Sequence, residues 1–137
     1  MKLYGTFMLC SALAMPAFAQ PFSTAAEVKP ILQATRANWV ALREYDGKDL
    51  LYFTHLESWR CGLSEVRFSV NSTAATKTRE MEPCYDGTAQ PNALTLDGHL
   101  SYIVLPLGMT ETVSVVVVYD DGSEDRMDYD RKAILMP

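Results

Sequence analysis

The run Val113–Tyr119, followed by Asp120-Asp121-Gly122 and the alternating stretch that begins at Ser123, constrains this chain more than any other feature. β-Branched residues favour a pleated strand, and an Asp-Gly turn sends the chain back antiparallel to itself. Two registers compete. A two-residue turn sets Met127 opposite Val116 and Asp128 opposite Val115. A three-residue loop, with Gly122 left-handed, sets Met127 opposite Val115 and Tyr129 opposite Val113. Only the second gathers Val113, Val115, Val117, Met127 and Tyr129 on one face and leaves Ser114, Glu124, Arg126 and Asp128 on the other. It is the register expected, because a one-residue slip would carry charge into a core. Val116 then faces solvent or the rim.

The rest of the chain reads as more of the same. Asp46-Gly47 favours a two-residue type I′ turn that pairs Tyr45 with Lys48, Leu42 with Leu51 and Val40 with Phe53. Trp39, Leu42 and Tyr45 also continue a helical spacing, so residues 38–45 are open to both readings; the agreement of turn and apolar face favours strands. Val66, Phe68 and Val70 alternate with Glu65, Arg67 and Ser69, Lys77–Pro83 reads as an edge strand, and Leu100–Leu105 as a strand stopped by Pro106. Tyr85–Gly98 reads mostly as loop. Ahead of these strands, Thr24 and Glu27 form a capping box for one short helix over residues 24–37, with Pro30 either kinking it or moving its regular start to about Lys29. The expectation is a mainly β domain with one short N-terminal helix: an antiparallel, immunoglobulin-like sandwich or a small open barrel of six to seven strands. The final hairpin is similar to the terminal hairpin of immunoglobulin-like domains; that resemblance covers about twenty residues and bears on fold alone.

Residues 1–19 have the parts of a cleaved secretory signal peptide. Lys2 is basic, Leu3–Ala14 is apolar, Pro16 breaks the helix, and Ala17-Phe18-Ala19 fits the small-x-small cleavage rule, so cleavage is expected before Gln20. Cys10 lacks the small residues that precede a lipid-modified cysteine. Residues 20–137 then form a single domain, periplasmic or secreted, with no membrane span. The formal net charge of −5 becomes more negative once Lys2 is lost, which disfavours nucleic acid and anionic lipid as partners. Two cysteines remain, Cys61 and Cys84, and in an oxidising compartment a structural disulfide between them is expected.

Catalytic signals are weak. His55 and His99 have no partner legible in sequence, and neither Gly-x-Ser-x-Gly nor Ser-x-x-Lys occurs. Asp120, Asp121, Glu124, Asp125, Asp128 and Asp130 crowd the hairpin, but without the spacing of an EF-hand. Asn71-Ser72-Thr73 matches a glycosylation acceptor and marks a polar loop. Trp59 and Arg60 are of the types that anchor interfaces, although a tryptophan packed over a disulfide is an ordinary core feature. No catalytic, cofactor-binding or metal residue is assigned. The expected function is a non-enzymatic exported module that binds another exported protein or an envelope component. The alternatives are a small hydrolase using a histidine with a carboxylate, and a calcium-stabilised structural domain.

Overall fold

The computed structural model describes residues 5, 9–12 and 21–137. The expected leader therefore lies largely outside the described residues; Cys10, which is described, is a free and exposed thiol. None of the described helices is long and apolar enough to cross a membrane.

Helix α1 spans Ala25–Ala34. Thr24 caps it: its hydroxyl accepts from the Glu27 amide (3.3 Å) and donates to the Glu27 carboxylate (2.9 Å), which reaches back to the Phe22 amide. Pro30 neither breaks the helix nor delays its start. Both Pro30 and Ala26, whose carbonyl loses its donor, are exposed, so water can take the vacated bond. Ala25, Val28 and Leu32 form the buried face. A turn at Arg60–Gly62 packs against it, and Gly62 is required there: a Cβ would lie 2.2 Å from Val28 Cγ2 and 2.8 Å from the Thr24 carbonyl.

Seven strands follow. Ala41–Tyr45 (β1), Lys48–Tyr52 (β2) and Tyr102–Pro106 (β5) form one antiparallel sheet, ordered β1-β2-β5. Leu63–Val70 (β3), Lys77–Thr78 (β4), Thr112–Tyr119 (β6) and Glu124–Asp130 (β7) form the second, ordered β4-β3-β6-β7. The short helices Thr54–Glu57 (α2) and Arg131–Ile134 (α3) complete the chain. No ladder joins the sheets among the described residues, so the architecture is a sandwich and not a barrel. Between the layers, Leu42, Leu51 and Phe53 meet Val66, Phe68, Val113, Val115 and Val117, with the Phe53 and Phe68 rings 5.0 Å apart. Trp39 and Tyr119 are fully buried; the Trp39 indole donates to the Leu32 carbonyl (2.8 Å), tying helix to sandwich.

Both hairpins have the expected registers. Asp46 and Gly47 have φ of 50° and 71°, the left-handed pair a type I′ turn needs, and Tyr45 faces Lys48 while Leu42 faces Leu51. In the final hairpin Val113 faces Tyr129 and Val115 faces Met127, with Gly122 at φ 83°. Within this hairpin one expectation fails. Val116 points away from the core yet is only 6% exposed. Arg67 and Arg126 are its neighbours in the two flanking strands, and long arginine stems cover apolar surface while their charged ends reach water.

Candidate functional site

Strand alternation gives each sheet an outer face, and the two faces differ. On the four-stranded sheet the charged outward residues are tied to one another: Arg67 binds Glu65 (3.1 Å) and Glu124 (3.2 Å), and Arg126 binds Asp128 (2.8 Å). On the three-stranded sheet, register places Ala41, Tyr52 and Tyr102 in one outward row, Arg43, Leu50 and Val104 in the next, and Tyr45, Lys48 and Pro106 in the third. This face holds two bases and no acid, in a chain with seventeen acids. Tyr52 and Tyr102 are in contact (centroids 5.2 Å apart), the Arg43 guanidinium lies 4.3 Å from the Tyr45 ring centroid, and Tyr45 and Val104 are each 55% exposed. Acidic side chains do come from these strands, but from the opposite face. Asp49 is buried and held bidentately by Arg131 (2.7 and 3.0 Å), which also takes Glu44; the Arg131 bond is the main reason the Asp49 carboxyl titrates below its usual range.

The platform runs into a cavity of about 380 Å³ lined by Trp39, Val40, Ala41, Tyr52, His55 and Met136, with Asn38 and Thr54 at its polar side. α2 places His55 there. The Thr35 hydroxyl donates to the Ile31 carbonyl (2.8 Å), so the 2.9 Å contact between Thr35 and His55 Nε2 is a bond donated by the imidazole. Nδ1 is left as the ring's acceptor. Burial lowers the His55 pKa and favours this neutral form. An apolar cavity with one imidazole acceptor, continuous with an aromatic strip, is suited to receive an apolar side chain or segment.

The other residues singled out in sequence lie elsewhere. Arg60 is 3% exposed, and its guanidinium donates to five carbonyls: Glu57, Glu82, Pro83, Asn92 and Ala93. Every N–H of the side chain is engaged, so Arg60 fastens the 82–93 loop to the turn after α2. The Cys61–Cys84 disulfide makes the same connection covalently. Glu82, also buried, adds to it. Burial alone would raise its pKa, but the Tyr85 hydroxyl, the Thr95 and Leu96 amides and the Arg60 charge outweigh this and lower it. Trp59 is half-buried, edge-on to Phe22 (5.1 Å), with an indole N–H that has no partner among the described residues. It borders a separate groove with Gln90 and Asn92.

His99 meets an acid that sequence did not suggest. Its Nε2 lies 3.0 Å from Glu57 Oε1, an oxygen that also receives Arg79 Nε (3.2 Å) and Nη2 (2.9 Å). Glu57 is fully buried, and its Oε2 has no partner among the described residues. The histidine–acid pair exists, but no hydroxyl or thiol is hydrogen-bonded to His99 among these residues, and Arg79 already neutralises the carboxylate.

The acidic hairpin does not converge. Asp121 binds Lys29 (3.2 Å), Asp125 binds Arg36 (2.9 Å), Gln33 (3.1 Å) and the Tyr119 hydroxyl (2.7 Å), and Glu124 and Asp128 go to the arginines named above. Bonds from the Ser123 hydroxyl and amide, then from Lys29, bring Asp121 down to about 2. Among the described residues, no three His, Cys, Asp or Glu side chains are grouped to hold a metal. Comparison with protein-family models, curated proteins and solved structures finds no match to this chain, so the case for function rests on the geometry above.

Proposed function

We propose that this protein is an exported, non-enzymatic binding module that docks on another exported or envelope protein through the outer face of its three-stranded sheet. One observation carries the reading: that face is aromatic and apolar, bears only the bases Arg43 and Lys48, and opens into the cavity beside His55, whereas the opposite face is closed by its own ion pairs. Aromatic residues with a neighbouring arginine are the usual composition of an interface centre. The partner surface should be apolar with carboxylates at its rim, to meet Arg43 and Lys48. Export to the periplasm or outside the cell is supported by the secretory pattern of residues 1–19, and the disulfide suits an oxidising compartment.

A hydrolase reading has the Glu57–His99 pair in its favour, but no hydroxyl or thiol is bonded to His99 among the described residues to act as its nucleophile. The test is comparative capture from native envelope extract. Bait consisting of residues 20–137 should retain the same protein as an Arg126→Ser variant on the opposite sheet, and a Tyr45→Asp/Tyr52→Asp variant should lose it while melting cooperatively. Retention by the folded double variant would sink the proposal.

A further inference from the structure

The cavity beside the tyrosine platform is walled largely by apolar surface, from Trp39, Tyr52 and Met136 among others, but one acceptor on that wall is unpaired. The His55 Nε2–H is spent on Thr35, which lies outside the wall, and Nδ1 has no partner among the described residues. Nor is Nδ1 sealed in the core: the buried side-chain N and O atoms without a partner are Glu57 Oε2 and Trp59 Nε1. The neighbouring donors are already used elsewhere. The Trp39 indole donates to the Leu32 carbonyl (2.8 Å) and the Thr54 hydroxyl to Ser101 (2.9 Å). Asn38, exposed at the polar side, keeps a free carboxamide among the described residues.

These features select what can enter. A leucine or phenylalanine side chain would fill the apolar wall but cut Nδ1 off from water and leave it unpaired, which opposes binding. A lysine or arginine would bring a donor, but it would lose its hydration against apolar walls, and the charges of this face are the bases Arg43 and Lys48. Serine and threonine bring a donor without the apolar bulk. An aromatic ring with a neutral donor meets both needs, and a phenol does so more fully than an indole. Its O–H donates to Nδ1 while its oxygen accepts from the Asn38 carboxamide; an indole N–H only donates.

We propose that the cavity receives a tyrosine side chain of the docking partner, with its ring against Trp39, Tyr52 and Met136 and its hydroxyl donating to His55 Nδ1. Tyrosine suits such a place, being apolar along the ring and polar at the tip. That the tyrosine belongs to a partner rests on docking through this face; the preference of the cavity does not, and its test uses the purified, oxidised chain alone. The probes are p-cresol, which is the tyrosine side chain, toluene, which lacks only the hydroxyl, and 3-methylindole. In an NMR titration at about pH 8, where the imidazole is neutral, p-cresol should shift the Trp39 and His55 resonances and bind about fivefold or more tighter than toluene. His55→Leu should bind the two equally with an unchanged circular dichroism spectrum. Should that variant not fold, the wild type decides: p-cresol should move the His55 Nδ1 nitrogen resonance toward its hydrogen-bonded value, and toluene should not. Equal affinity for p-cresol and toluene in the wild type, tighter binding of 3-methylindole, an unmoved Nδ1 resonance, or no shift in solution saturated with p-cresol would each overturn the proposal. None of these results would touch capture of a partner by the platform, and a failure of capture would leave the preference of the cavity measurable.

Discussion

Arg60 carries a charge, yet the fold uses it as a hub for carbonyls that no strand or helix satisfies. Replacing it by alanine removes the donors to Glu57, Glu82, Pro83, Asn92 and Ala93 together, and we expect a loss of at least about 3 kcal/mol in denaturant unfolding. Lysine should recover little, because an ammonium cannot span the same fork of acceptors. Glu57 and Arg79 follow the related logic of buried pairs: Arg79→Ala leaves a fully buried carboxylate with only His99 beside it among the described residues and should cost about 3–5 kcal/mol. His55 sets a pH dependence. Burial holds its pKa below the usual value of 6.5, so on acidification the unfolded chain takes up this proton before the folded chain does. Its contribution is complete above about pH 6.5 and declines as pH falls toward the folded pKa. Denaturation of the wild type and of His55→Gln across this range should show part of the slope missing in the variant. Equal slopes would show that His55 stays solvated.

At the scale of elements, the final hairpin gives the sharpest contrast. Val115→Asp places a lone carboxylate between the sheets and should cost about 4 kcal/mol or more. Val116→Asp should cost much less, for a reason different from the one read in sequence: the new carboxylate would stand between Arg67 and Arg126. The opposite ranking would mean that the register is shifted by one residue. Gly62→Ala should lose about 1–3 kcal/mol by pushing α1 off the turn, read as a lower thermal midpoint. These elements also show what a sequence can and cannot disclose. Both hairpins were legible because an Asp-Gly turn and period-two alternation are local signals. The Glu57–Arg79–His99 cluster was not, since its members come from a helix, a strand end and a loop that only the tertiary fold assembles. Val116 was given its correct face but the wrong exposure, because alternation assigns a face but says nothing of which side chains lie across it. The outward aromatic rows escaped notice for a similar reason: β5 joins β2 only after a long connection with no periodicity, and without that pairing Tyr52 and Tyr102 are unrelated.

For the whole molecule, the consequence is an asymmetric sandwich: one sheet faces out with paired charges, the other with tyrosines and two bases. The 82–93 loop, stapled by the disulfide and Arg60, lies apart from this face and serves stability. Substituting both Cys61 and Cys84 by serine should therefore lower stability by roughly 3 kcal/mol while leaving partner capture intact at low temperature. Hydroxyl-radical footprinting of the chain with and without its captured partner, at equal chain concentration, reads the docking face directly. Tyr45 and Tyr52 should lose reactivity on binding while Trp59 and Tyr85 keep theirs. Protection of Trp59 and Tyr85, with Tyr45 and Tyr52 still reactive, would contradict docking through that face.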